Sequence, residues 1–283
     1  MGAARVLAAD PADPDGIDMA SFEHISLAAS LEGIAPISLE EMDAVKLMNR
    51  FDTKYLTDET TLVQVLADAE RAGYRALETA GAKISAYDSV YFDTVGLKMF
   101  RDHHNRRLKR QKVRTRSYVS SGTAFLEIKR KNNKGRTSKK RIGIPVGELQ
   151  DFSGDAAACD YLSRKSWFTV EELSPVLETV FSRITLVNPA RTERLTIDTD
   201  LQFRNVRTGH ACSLRDAVII ELKQDGHSDS SMKRILLDHR VKPIRISKYC
   251  IAVTLTEPAA RAGRFKAKVR QIEKTINHKI DIQ

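Results

Sequence analysis

"RQKVRTRSYVSSGTAFLEIKRKNNKGRTSKKRIGI", residues 110–144, is the stretch whose reading decides the fold. Side chains alternate faces along a strand, so residues two apart point the same way. By that rule Lys112, Arg114 and Arg116 share one face. Glu127, Lys129 and Lys131 share another, with Leu126 and Ile128 behind them. The alternation, broken by Gly122 and by Asn132–Gly135, predicts hairpin-connected strands over 106–119, 123–131 and 137–144. Lys140 and Arg141 are adjacent, and parity leaves open which of them joins the charged face.

The same split recurs outward from this stretch. Arg194 and Asp198 align against Leu195 and Ile197, and Glu221 and Lys223 align against Val218, Ile220 and Leu222. Further strands are expected at 50–57, 84–93, 183–188, 193–198, 200–206 and 217–223. Ser38 and Glu41 form a capping box opening a helix through Met48, and a helix over 58–72 is closed by Gly73. Other helices are expected near 97–104, 155–163, 175–182, 229–238 and 247–256. Strands mostly follow strands, which places the chain in the α+β class, as an antiparallel sheet or barrel with helices packed outside.

The ends read differently. Residues 1–36, with "AADPADPDGID" at 8–18, have little periodicity and are expected to form a mobile arm with some local order near Phe22 to Leu31. A folded domain is expected over 37–258, followed by a basic helix over 259–283. There Phe265, Val269, Ile272 and Ile276 make an apolar stripe, expected to pack on its own domain before any membrane or partner.

Lys plus Arg number 46 against 37 Asp plus Glu, a net charge of +9 that points to a polyanionic partner. Cys159, Cys212 and Cys250 are odd in number and far apart, which suggests neither a disulfide framework nor a zinc site. Gly2 is not followed by Ser or Thr at position 6, no signal-peptide pattern is present, and Tyr249–Thr256 is too short to span a bilayer. The expectation is a soluble, cytoplasmic protein. Phosphate-loop, dinucleotide-fold, G-x-S-x-G and H-E-x-x-H motifs are all missing. His103 and His104 read as local hydrogen-bonding groups, and the lone Trp167 argues against a base-stacking surface, so nucleic acid is not the expected partner.

Charges on one face of a sheet are ordinarily solvated, but here Lys and Arg dominate adjacent positions and repel unless an anion neutralises them. In a closed barrel the charged face turns inward, and a lumen so lined suits a chain of phosphoryl groups. Glu127, Asp198 and Glu221 within that field either hold Mg²⁺ or Mn²⁺ or serve as counter-ions to neighbouring Lys and Arg.

Seven segments then stand in a recognisable order: "RFDTKYLT", "YFDT", "FRDHHNRRLKRQKVRTR", "FLEIKRKNNKGRTSKKRI", "ERLTID", "IIELK" and "ISKYC". Over residues 46–256 the chain resembles the VTC domain, the catalytic module of the vacuolar transporter chaperone polyphosphate polymerase, among the triphosphate tunnel metalloenzymes. The resemblance implies an antiparallel eight-stranded tunnel. It implies Lys54 as a phosphate ligand at the tunnel mouth, Arg114 and Arg116 as a phosphate clamp, and Lys129 as a central ligand. Lys140 or Arg141 continues the lining, Arg183 and Arg194 match two later arginines, and Lys248 projects from a C-terminal helix. Lys112, Lys131 and Lys223 would add substrate contacts, with Glu221, and Glu127 beside it, on the metal. The implied reaction is metal-dependent transfer of the terminal phosphoryl group of ATP onto polyphosphate. Hydrolysis of inorganic triphosphate and non-enzymatic polyphosphate binding are the alternatives. The family's eukaryotic polymerases also carry a membrane part, so a membrane-protein partner is the corresponding expectation.

Overall fold

The structure, a computed structural model, describes residues 27–43, 45, 51–226 and 229–283. The expected arm therefore lies outside the described residues as far as 26, and so do residues 46–48, through which the first helix was expected to continue. Ser38 and Glu41 do form the reciprocal capping box, each backbone N–H donating to the other's side chain at 3.1 Å, ahead of the helix Leu39–Asp43. Residues 27–32 are helical and bury Leu27 and Leu31.

Among the described residues, eleven strands form one sheet: β1 (Pro36–Ile37), β2 (Phe51–Asp58), β3 (Arg75–Leu77), β4 (Ile84–Asp93), β5 (Arg110–Tyr118), β6 (Thr123–Lys131), β7 (Thr137–Ile144), β8 (Ser174–Val187), β9 (Glu193–Asn205), β10 (Ala211–Leu214) and β11 (Ala217–Gln224). Eight of them run in the spatial order β2-β11-β9-β8-β4-β5-β6-β7, every neighbouring pair antiparallel. The sheet curls until Lys129 on β6 feels the charges of Glu221 on β11 and Lys54 on β2, which makes the charged face a lumen.

The barrel is not closed, because β2 and β7 do not pair. The outer edge of β2 is taken instead by the chain near Pro243, where the Ile244 N–H donates to the Lys54 carbonyl at 2.7 Å. The Lys- and Arg-rich β7 is mostly exposed, as suits a free edge that must avoid pairing with another chain.

The segment 175–182, expected as a helix, is the first half of β8. Ser174 and Pro175 resemble a helix start, but β8 lies between β4 and β9 and bonds to both, and β-branched Val176, Thr179 and Val180 suit that position. Strands expected at 193–198 and 200–206 are one strand, β9, which bulges at Asp200 (φ +55°), where Asp200 and Leu201 together stand opposite Phe181 of β8.

Outside the sheet, the helix Glu59–Arg71 is capped by Asp58, whose Oδ1 accepts from the Thr61 N–H at 2.8 Å. Gly73 (φ +75°) then turns the chain away. With the helix Ser231–Asp238 it covers Leu195, Ile197, Val218, Ile220 and Leu222, the apolar residues that alternate with the lumen charges. Each fully buried aliphatic side chain here contributes about 1.5–3 kcal/mol. The helix Ala156–Lys165 covers Val113, Leu126 and Ile128 in the same way.

The helix Lys248–Thr256 behaves differently. Tyr249, Cys250, Ile251, Ala252 and Val253 are all buried, leaving no polar face to turn to water. It packs against lumen-facing Tyr91 and Phe181, across the interior rather than outside it. Over it lies the helix Lys266–Ile276, whose Phe265, Ile272 and Ile276 are buried in the same cluster, with Val269 packed beside them. No helix of the described residues is long and apolar enough to cross a membrane.

Candidate functional site

Register decides which charges meet. Directly paired residues of antiparallel strands share a face, and Lys112 pairs with Lys129 and Arg114 with Glu127. Across β6, Glu127 pairs with Arg141 and Lys129 with Lys139, while Lys140 stands opposite Ile128 on the other face. The parity of "KKR" is thereby resolved in favour of Lys139 and Arg141. On the far side Arg183 pairs with Asp198, Arg194 with Lys223, and Glu221 with both Thr196 and Lys54. Lys131 ends β6 opposite Arg110, at the limit of the charged row. The residues singled out in the sequence thus converge on one lumen, with Lys140 turned away from it.

Three carboxylates, Glu127 and Asp198 buried and Glu221 partly so, organise this interior. Glu127 accepts from Arg114 Nε at 2.8 Å and lies 2.6 Å from its Nη2, while Lys139 Nζ stands 2.5 Å from the other oxygen. Burial alone pushes Glu127 up; Arg114, Arg116 and Lys139 outweigh it and hold the carboxyl down to about 2. Asp198 takes both arms of Arg183, at 2.6 and 2.9 Å, and Lys248 Nζ at 2.8 Å. Burial opposes its ionisation too, but Arg183 and Lys248 keep it far below the carboxylate range. Glu221 is held more loosely: Lys223 Nζ stands 3.5 Å away, and Lys54, Lys223 and Lys129 together overcome burial to bring the carboxyl to about 2.

Cations outnumber these acids, and the consequence appears in the lysines. Lys139 and Lys223 are pushed down to about 8 by burial, partly offset by Glu127 and Glu221 respectively. Burial also lowers Lys112, Lys129 and Lys248, which a negative ligand would restore. His103 is driven to about 2 by burial and by Lys112, Arg110 and Lys129, so it is neutral and no proton donor at ordinary pH.

Aromatic rings under the cations were not foreseen. Tyr87 and Phe181 stack at 5.3 Å; Arg116 and Arg183 lie over both, and Lys248 Nζ sits 3.0 Å from the Phe181 centroid. Arg116 Nε donates to Ser89 Oγ at 3.0 Å, and Arg114 Nη1 to the Tyr91 hydroxyl at 3.0 Å. Tyr87, Ser89 and Tyr91 share one parity on β4, the signal that could have found them. Lys139 could have been found from Ile142 and Ile144, whose core face fixes the opposite parity for Lys139 and Arg141.

The helix Lys248–Thr256 aims its N-terminus at the same lumen. Ser247 caps it, accepting from the Cys250 N–H at 3.3 Å, and also accepts from Lys112 Nζ at 2.7 Å. A helix N-terminus favours an anion, and Lys248 in its first turn adds a full charge. This helix is fixed from behind: the Tyr249 hydroxyl donates to Asp93 at 2.6 Å, and its ring stacks 5.1 Å from Tyr91. Asp93, fully buried, also accepts from the N–H groups of Met99 and Phe100, both at 2.9 Å, so the aspartate of "YFDT" ties two helices to β4.

The donor set limits how a divalent cation could bind. Among the described residues no group of three or more His, Cys, Asp or Glu is placed to hold one. Glu127 and Asp198 already have cations on both oxygens. Glu221 is the exception, and one carboxylate completed by phosphate oxygens and water suits Mg²⁺ or Mn²⁺.

No curated protein matches the chain. Solved structures that resemble it include the PH1819 protein from Pyrococcus horikoshii, 12% identical, covering 71% of this chain and 97% of that one with a TM-score of 0.39. Another is HpAC1 from Hippeastrum, a proposed adenylyl cyclase described as having a dominant triphosphatase activity, 13% identical, covering 78% of this chain and 96% of that one with a TM-score of 0.42. The model of the VTC domain matches residues 49–256, from the strand carrying Lys54 to the end of the helix carrying Lys248. With most of its length so matched, the chain belongs to the VTC domain family.

Proposed function

We propose that this chain is a metal-dependent phosphotransferase that extends inorganic polyphosphate with the terminal phosphoryl group of ATP. The observation that carries this reading is the convergence of Arg114, Arg116, Lys129, Arg183 and Lys248 on one lumen whose lysines burial has pushed below their ordinary range. Membership of the VTC domain family supports it. Such transfer needs positioning and charge stabilisation more than a covalent nucleophile. A terminal oxygen of the acceptor chain bonds to the γ-phosphorus of ATP while the bond from that phosphorus to the bridging oxygen breaks, and ADP leaves with that oxygen. Arg114 and Arg116 present planar forks to the non-bridging oxygens, with Lys54, Lys129 and Lys248 as point charges along the chain. Glu127 and Asp198 orient Arg114 and Arg183. A Mg²⁺ or Mn²⁺ ion held by Glu221 and phosphate oxygens would offset the charge that develops on the leaving group.

Incubation with ATP and Mn²⁺ tests the reading, with ADP, free phosphate and chain length all measured. The expected result is long-chain polyphosphate formed with one ADP per phosphoryl group. Phosphate release without chain growth identifies a hydrolase, and binding without turnover identifies a polyphosphate-binding module.

A further inference from the structure

The outer face of the same sheet gathers cations that the lumen does not use. A cleft of about 700 Å³ lies where the β6–β7 hairpin meets the end of the helix Ala156–Lys165. Arg130 and Lys140 line it on either side of Ile128, with Lys109, Arg136, Arg164 and Lys165 around them. None of the residues lining it is acidic, although Arg164 pairs with Asp160 nearby. The lumen tempers its cations with buried carboxylates; this cleft does not, and like charges so placed repel until an anion enters.

Its geometry is partly preset. Arg130 lies 4.9 Å over the Trp167 ring and donates from Nη1 to the Lys165 carbonyl at 3.1 Å, which fixes its guanidinium. Lys131 lines the cleft and also follows Lys129 in the lumen row, so the hairpin end of β6 is where the two cationic surfaces meet.

We propose that this cleft is a second binding site for inorganic polyphosphate, holding chain that continues past the β6–β7 hairpin from the lumen. The continuity rests on the reading of the lumen given above, whereas the charge of the cleft stands by itself. A phosphate chain fits better than a nucleic acid: base binding needs open aromatic platforms, and the cleft's Trp167 is already stacked by Arg130. A row of Lys and Arg suits the uniform oxygens of a phosphate chain.

The test is the double variant Lys109→Glu/Arg136→Glu, both positions exposed and outside the lumen. Binding of long-chain polyphosphate, tripolyphosphate and single-stranded RNA is measured across a salt titration for wild type and variant, after equal melting temperatures confirm an intact fold. Long-chain affinity is expected to fall by about tenfold, with a salt slope shallower by about one to two units. Tripolyphosphate, too short to leave the lumen, should bind both proteins alike. Unchanged long-chain affinity overturns the proposal, and so does RNA binding that exceeds polyphosphate binding and is lost in the variant. If wild type fails to bind tripolyphosphate while the variant still loses long-chain affinity, the lumen reading falls and the cleft stands.

Discussion

Arg183 grips both carboxylate oxygens of Asp198, at 2.6 and 2.9 Å, and Lys248 shares the second at 2.8 Å. Removing one partner of a buried ion pair leaves the others uncompensated. Asp198→Asn should therefore cost about 3–5 kcal/mol of stability. A phosphate chain can replace the lost charge, so tripolyphosphate should raise the melting temperature more in the variant than in wild type. Thermal denaturation with and without ligand checks both, and an unaltered melting temperature would show that the pair carries no net stability.

The two clamp arginines are predicted to differ. Arg114→Ala and Arg116→Ala should each weaken substrate binding or turnover by about 1.5–3 kcal/mol. Arg114→Ala should also lower stability, since it strips Glu127 of a partner, whereas Arg116 donates to Ser89 and lies over the Tyr87 and Phe181 rings without pairing directly to a carboxylate among the described residues. Steady-state kinetics beside chemical denaturation separates these effects; wild-type kinetics in both variants would remove the clamp.

Glu221→Gln keeps size but removes the charge that attracts a hard cation. Metal-dependent turnover should collapse, while metal-free tripolyphosphate affinity should hold or rise in a lumen one unit more positive. A Mn²⁺ titration of turnover, run with metal-free binding, checks the opposite signs. An unshifted metal dependence would return Glu221 to the role of counter-ion to Lys223.

Lys139 and Lys223, held down to about 8, set a pH dependence. A phosphate chain binds their protonated forms and raises their pKa values, so affinity should be full below about 8 and fall as pH rises beyond it. Calorimetry at pH 8 in buffers of differing ionisation heat should show proton uptake on tripolyphosphate binding. Proton release, or affinity that is flat from pH 7 to 9, contradicts this.

Alternation alone located β6 and β7 residue for residue and all of β5, though it began four residues early there, because each has one apolar and one charged face. It failed at the first half of β8, where Val176 and Leu177 are both buried and no polar alternation survives between two flanking strands. Lys112, Arg114, Lys129 and Glu221 were legible by parity. Lys248 came only from the family resemblance, since nothing in a buried helix announces that its first residue faces a lumen. That the barrel stays open was beyond local reading as well: the free edge of β2 is taken by the chain near Pro243, almost two hundred residues away.

Asp93 illustrates how such an arrangement can mislead genetics. Through Tyr249 it holds the helix bearing Lys248, and through the stacked Tyr91 it bears on Arg114, yet it is sealed from solvent with no path to a phosphate. In a mutational screen scored by turnover alone, Asp93→Ala would rank beside the phosphate ligands and be mistaken for one. Only a screen that also counts folded protein would sort the beam from the tool it supports.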